Sequence, residues 1–500
     1  MEEKKMATNI YLNEKVKKLQ NFWNCIQFHP TDAIEDDWGQ RILDRIAEDQ
    51  SVEMVRIYTM MEDIVTMDEN GNLQYDFALN DLRLDYMIEK GFDILLDYNF
   101  IPPCIAEKPD VRSCVSKNKT RYKGKLIVTS APKDYALWEE ICYQYTKHIV
   151  ERYGEERVAS WYLHCFNEPD IPEFFLSDLG RSDEDVAIRC REYCKLYKGF
   201  ANGIRKASTK LHLGGPTLAH SLVFLEDFLN YVKENDLQLD FVCGHSYGTH
   251  PRDLNSGAKS INTMNNIEII ANIRNVVDRV FPNKELVIDE WGAACCGFHN
   301  REECPKLMYR ESEIMAVYFG KMVTELVEYD MNLSKLMICL SGQHEMVEDF
   351  SGFRNLFTLN HIAKPIYNAY RLMRRLGSDQ LRSETDNANL KVLATSSGDK
   401  HAVLLTYAAK KLQEDVLPTV EETIQLHGLE AGKKVTVYRI DADHLNPYNL
   451  FLKNGYTKDL TPEQLAILKE EGNLKSAEEL TTDGEIKLSI PNNSFILLEV

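Results

Sequence analysis

Val158 to Pro169 reads VASWYLHCFNEP. An apolar, aromatic-rich run climbs from Val158 to Phe166 and stops on Asn167-Glu168-Pro169, so a carboxylate is delivered at the C-terminal end of a buried strand. A second run, ELVIDEWG from Glu285 to Gly292, uses Leu286, Val287 and Ile288 as its strand and stands Glu290 at its end. Parallel α/β barrels keep their chemistry at this end of the strands. Two glutamates so placed are read as sharing one task.

Outward from these stretches, strands and helices alternate. Strands are expected at Phe22–Phe28, Met54–Met60, Phe92–Phe100, Val158–Phe166, Leu211–Gly214, Leu239–Tyr247, Glu285–Glu290 and Lys335–Leu340. Helices are expected at Asp37–Asp49, Leu79–Lys90, Trp138–Tyr153, from a Ser182 cap to Ala207, and at Leu222–Asn235, Ile267–Val280, Tyr309–Tyr329 and Pro365–Leu376. Such alternation predicts an α/β fold, a (β/α)8 TIM barrel. From about Asp379 the texture changes to short alternating runs such as LKVLATSS, HAVLLTYA, KKVTVYRID and SFILLEV, the pattern of a β-sandwich, with an acidic helical insertion near Thr461–Glu471. The expected organisation is therefore a segment 1–16 whose Asn9–Leu12 joins the sandwich, a catalytic barrel over 17–378 and a C-terminal β-sandwich accessory domain over 379–500.

Composition narrows the function. The chain has 500 residues, long enough for a barrel of roughly 250 residues plus a smaller domain. Lys and Arg number 58 against 78 Asp and Glu, a net charge of -20 without a basic block, which argues against nucleic acid and anionic membranes as partners. No apolar run reaches the roughly 18 residues of a spanning helix, and the N-terminus lacks the apolar segment of an export signal. The 12 cysteines are scattered, as buried thiols in a reducing compartment would be. A cytoplasmic location is expected, with an export signal removed in maturation left open.

Hydrolysis of a glycosidic bond with retention requires two carboxyl groups about 5–5.5 Å apart, one to attack the anomeric carbon and one to protonate the leaving oxygen. Glu168 after strand four and Glu290 after strand seven face each other across a barrel mouth. Asn167 can hydrogen-bond a sugar hydroxyl, and Pro169 fixes the turn that aims Glu168.

With ERYGEERVASWYLHCFNEPDIPEFF, LHLGGPTL, LDFVCGHSY, LVIDEWG and SGFRNLFTLNHIAKPIYNAYRLMRRLG read together, the chain resembles family 39 of the glycoside hydrolases, in clan A, the β-xylosidase and α-L-iduronidase group. The resemblance implies Glu168 as acid/base, Glu290 as nucleophile and Asn167 at the sugar 2-hydroxyl. It implies Tyr247 as a hydrogen-bond donor to the nucleophile, His245 beside it, and Arg56 as the cation near Glu290. The implied activity is that of a retaining, exo-acting, β-xylosidase-like enzyme on oligosaccharides or glycosides, needing no cofactor and no metal. A family-type sandwich can also mediate a homo-oligomer.

Departures from the family pattern bear on the sugar. Tyr58 stands where xylosidases carry a histidine, Asp97 where a glutamate is usual, and His164 and Phe166 where Glu and Trp are usual. After strand eight comes Gly342-Gln343-His344-Glu345 in place of the common aromatic. Tyr58, Gln343 and His344 are expected to shape a polar wall with room for a substituent that xylose lacks. Galactosidase, arabinosidase or iduronidase-like specificity stands behind the xylosidase reading, and a catalytically silent sugar-binding barrel behind both. A metal-dependent barrel hydrolase lacks the inward His and Asp it would need. Phe174 and Phe175 either stack on a sugar or anchor their loop. Cys295, Cys296, His299 and Cys304 cluster in sequence, but adjacent cysteines rarely ligate one tetrahedral ion, so a lid beside the site is the expectation.

Overall fold

The computed structural model describes residues 6–28, 31–113, 126–341 and 345–500. Eight parallel strands close into a barrel: Cys25–Phe28, Met54–Met60, Asp93–Asn99, Tyr162–Cys165, His212–Leu218, Phe241–Tyr247, Glu285–Gly292 and Leu333–Leu340. Closure runs through Leu333–Leu340 on Cys25–Phe28, with Met337 opposite Cys25. Each expected strand is present, and the fourth and fifth differ most in extent. The fourth is only Tyr162–Cys165, because Glu155–Val158 closes a helical turn after Gly154. The fifth does not end at Gly214 but continues to Leu218. Gly214 is required there, since a Cβ would lie 2.2 Å from the Phe241 ring of the next strand. The helix expected from Tyr309 starts at Glu313 under a Ser312 cap, because Pro305–Glu311 winds as a 3-10 helix.

Alternation along the strands sorts side chains by height inside the barrel. The lower layer is apolar: Cys25, Met54, Leu95, Phe241, Cys243, Val287 and Met337 form one buried cluster. Two residues further along, the same strands carry Arg56, Asp97, His245 and Asp289, all buried. The polar layer thus sits on an apolar floor and under the barrel mouth.

A second, nine-stranded and mostly antiparallel sheet includes Met6–Lys18, longer than the Asn9–Leu12 expected, which pairs antiparallel with Asp379–Thr385 and parallel with Val420–His427. One core joins Val435 and Val437 near one end of the sheet to Ile486 and Leu488 at the other, so the sheet folds over itself as a sandwich. The helix Glu313–Glu328 is buried almost all round, as an apolar helix between two layers must be. Phe495 of the sandwich meets Gly320 on it. The insertion forms helices Pro447–Lys453 and Pro462–Gly472, and Leu468 packs with Phe350 and Ile362 from the loop after strand eight.

Candidate active site

The turn after strand four is built by backbone strain. Phe166 and Glu168 both take positive φ, 70° and 46°, outside the comfortable range of bulky residues, a conformation that persists only where the surroundings impose it. The Glu168 N–H donates to the Thr217 carbonyl at 3.0 Å. Asp170 binds the adjoining loop, accepting the N–H groups of Ala219, His220 and Ser221 at 2.9, 2.9 and 3.0 Å. The turn is therefore held against the end of strand five, which aims the Glu168 carboxyl at the barrel axis.

Strand seven delivers its carboxylate by a different device. Gly244 pairs with Ile288, but the next residue, His245, pairs with Glu290, so Asp289 is an extra residue in the register. Such a bulge cancels the alternation that would send neighbouring side chains to opposite faces. Asp289 and Glu290 both reach the interior: one lies 3.2 Å and the other 3.0 Å from Nη1 of Arg56.

Arg56 is fully buried beneath the mouth. Its Nη2 donates to Asp97 at 2.7 Å and to Oδ1 of Asn167 at 2.8 Å. The cationic neighbour expected for Glu290 is thus present, and Arg56 is not among the residues that line the cavity Glu290 faces. Glu62 and Asp63, its alternative partners by sequence proximity, instead meet Arg112 and Arg83.

Glu168 and Glu290 face one cavity of about 890 Å³, lined also by Tyr58, Asn167, Phe174, His245 and Tyr247. A carboxylate oxygen of each glutamate and a ring nitrogen of His245 lie within 4.8 Å of one another. Oε1 of Glu168 is 2.7 Å from Nδ1 of His245. Tyr247 donates its hydroxyl to Oε2 of Glu290 in a short hydrogen bond, and the Tyr58 hydroxyl donates to Oε1 at 3.4 Å. Arg354 lies under the Tyr247 ring, 4.7 Å from its centre.

These surroundings drive the two carboxyls apart. Burial pushes Glu168 above the ordinary carboxylate range, against the pull of the His245 hydrogen bond. Burial would raise Glu290 too, but His245, Arg56, the Tyr247 hydroxyl and Arg354 together bring it down to about 2. Burial opposes charge on His245, yet Glu290 and Asp289 overcome it and lift the imidazole to about 10. One carboxyl is biased to hold a proton and the other to stay ionised, the division of labour an acid and a nucleophile need.

Other expected positions fall differently. Phe174 does border the cavity but is 8 % exposed, its ring stacked on Phe100. Phe175 is fully buried against Phe166, an anchor for the loop. His164 and Phe166, expected to shape the pocket, are both fully buried away from it; Nε2 of His164 lies 2.5 Å from Asp97 in the layer below. Gln343 and His344 lie outside the described residues. Of the cysteine cluster, Cys295 and Cys296 come together with His250 rather than His299, while Cys304 is buried with its Sγ directed to the Pro251 carbonyl.

Asp289, Arg354 and His250 were not singled out in the sequence. Arg354 stood in the quoted SGFRNLF stretch, and that was its only signal. As for cations, Glu168, His245 and Glu290 form one of the groups close enough to ligate an ion, and His164, Cys243 and Asp289 another. Arg56 and His245 already supply the positive charge opposite these carboxylates.

The whole chain can be matched to known proteins. The profile of glycosyl hydrolases family 39 matches residues 6–486. The chain is 22% identical over 519 residues to a beta-xylosidase of Caldicellulosiruptor saccharolyticus, covering 100% of this chain and 97% of that protein. It is 23% identical over 212 residues to the alpha-L-iduronidase of Homo sapiens, covering 40% of this chain and 27% of that one. Among solved structures, a monomeric beta-xylosidase from Caulobacter crescentus CB15 superposes with a TM-score of 0.80 at 19% identity, covering 99% of each chain. No helix among the described residues is long and apolar enough to cross a membrane. The chain belongs to glycosyl hydrolases family 39 and is a glycosidase.

Proposed function

We propose that the enzyme is a retaining, exo-acting glycosidase, β-xylosidase-like in its reaction, with Glu168 as acid/base and Glu290 as nucleophile. The observation that carries this reading is the approach of the two carboxyls, an oxygen of each within 4.8 Å of the other, nearer the roughly 5–5.5 Å of retaining enzymes than the roughly 6.5–9.5 Å of inverting ones. Glu290, held ionised, attacks the anomeric carbon while Glu168 protonates the departing oxygen. Glu168, now a carboxylate, then takes a proton from water, which attacks the same carbon and frees Glu290. Tyr247 and Arg56 hold the nucleophile in position through both steps. Asn167, whose Oδ1 accepts from Arg56, keeps its amide N–H groups for a sugar hydroxyl. The full-length match to the Caldicellulosiruptor beta-xylosidase supports the reaction type.

The test is trapping with an activated 2-deoxy-2-fluoro glycoside. One sugar bound per chain, mapped to the peptide containing Glu290, is the expected result, together with a product of unchanged anomeric configuration. A label on another carboxylate, or an inverted product, would overturn the assignment.

A further inference from the structure

Beyond the catalytic pair, the same cavity holds a cluster with no part in the double displacement. Cys295 and Cys296 follow strand seven into the cavity wall, and His250 reaches them from the loop after strand six. Sγ of Cys296 lies 3.5 Å from Sγ of Cys295 and 3.5 Å from Nε2 of His250. The backbone imposes the approach: Cys296 takes a φ of 56°. Gly297 follows it, where a Cβ would lie 1.7 Å from Oγ of Ser341.

Geometry assigns the protons. Nδ1 of His250 accepts the N–H of Arg252 at 3.0 Å, so the hydrogen of the neutral ring sits on Nε2 and points at Cys296. Either thiol can donate across the Cys295–Cys296 contact, and with the proton kept on Cys295 that thiol is the second donor. The Cys296 sulfur therefore accepts from both sides, the setting of a thiolate. Hydrogen bonding from Cys295 is the largest cause, and with His250, Arg354 and Arg310 it brings Cys296 down to about 6 against burial. Cys295 is pushed up in return. Asp253, Lys259, His299 and Glu303 also border this part of the cavity. Both cysteines are partly exposed, whereas most cysteines of the chain are buried.

We propose that Cys296 is a thiol-modification site that takes low-molecular-weight disulfides, and that the resulting adduct closes the cavity to glycosides. The thiolate attacks one sulfur of the disulfide R–S–S–R, whose S–S bond breaks. Cys296–S–S–R forms, and R–S⁻ leaves and is protonated by water. The Cys296 sulfur is oxidised as the departing sulfur is reduced, so no further oxidant enters. Attack by Cys295 on the adduct would have to close a disulfide between adjacent residues, whose Cα atoms are about 3.8 Å apart across a trans peptide and so nearer than the roughly 4.4–6.8 Å a disulfide spans, and the mixed disulfide therefore persists until an external thiol reverses it. The closing effect rests on the glycoside occupying this cavity; the chemistry of Cys296 does not.

The experiment treats the whole enzyme with oxidised glutathione, maps the adduct by peptide mass, and follows aryl-glycoside turnover before and after dithiothreitol. Expected are a glutathione adduct on Cys296, at least a roughly tenfold loss of turnover, and full recovery on reduction. Cys296→Ser should keep wild-type turnover and escape inactivation. Iodoacetamide labelling of Cys296 should be half-maximal near pH 6, and Cys295→Ala, which removes the donor, should move that midpoint up. Adduct formation at another cysteine, a labelling midpoint at the ordinary thiol value of about 8.5, or a Cys296→Ser enzyme inactivated like wild type would overturn the site. A fully modified Cys296 with unchanged turnover would overturn the closing effect. Fluorosugar trapping on Glu290 is read separately, so failure of the catalytic assignment is distinguishable from failure of this one.

Discussion

Nδ1 of His245 lies 2.7 Å from Oε1 of Glu168, so the proposed acid/base is joined to an imidazole that also carries the charge balance of the proposed nucleophile, Glu290. A cation at His245 favours ionisation of both carboxyls, since it lowers Glu168 and Glu290 alike. Turnover requires Glu290 ionised, which sets the acid limb, and Glu168 protonated, which sets the basic limb; the two limbs report the pair as a whole. His245→Asn removes the cation and raises both carboxyls. The pH profile of kcat/KM on an aryl glycoside should therefore move to higher pH on both limbs. A profile that stays put or moves down would contradict the linkage.

Glu168→Ala removes the proton donor but leaves the nucleophile. Substrates with poor leaving groups should lose about 10²–10⁴-fold, the usual worth of general acid catalysis, while activated aryl glycosides keep most of their first step. Azide fits where the carboxylate stood and should restore turnover of the glycosyl-enzyme, giving a glycosyl azide of unchanged configuration. Near-normal activity on a natural-type glycoside would remove Glu168 from the role.

Asp97 and Arg56 are both fully buried, 2.7 Å apart. Asp97→Asn leaves the guanidinium short of one carboxylate in a layer without water access, and breaking such a pair costs about 3–5 kcal/mol. The loss should appear as a lowered midpoint in chemical denaturation followed by tryptophan fluorescence. Wild-type stability in the variant would mean that Asp289 and Glu290 suffice to balance Arg56.

Tyr58 borders the cavity with its hydroxyl 3.4 Å from Oε1 of Glu290, the position where xylosidases of the family carry histidine. The phenol oxygen there can accept from a substituent on C5 of the sugar that xylose does not have, or its O–H can turn from Glu290 to donate to one. The wild type is expected to turn over an aryl hexoside or uronide better than the xyloside, and Tyr58→His to shift the kcat/KM ratio toward the xyloside. A tenfold wild-type preference for the xyloside, about 1.4 kcal/mol in the transition state, would return the plain xylosidase specificity.

The eight strands, their order and the two strand-end glutamates were legible in the chain itself, because buried parallel strands read as continuous apolar runs and each stops on its turn residues. The family resemblance, rather than that pattern, pointed to His245, Tyr247 and Arg56 beside Glu290. Tertiary structure alone decided Asp289. Strict alternation sends it outward once Glu290 points in, and only the extra residue opposite Gly244-His245 brings both inside. It also decided Arg354 and His250, which sit in loops beyond the strand ends and carry no period to betray them. The acid–nucleophile distinction reached the sequence only through the family resemblance, and its physical basis lies in the fold, since two strand-end glutamates are chemically alike until burial and their cationic neighbours drive their proton affinities apart.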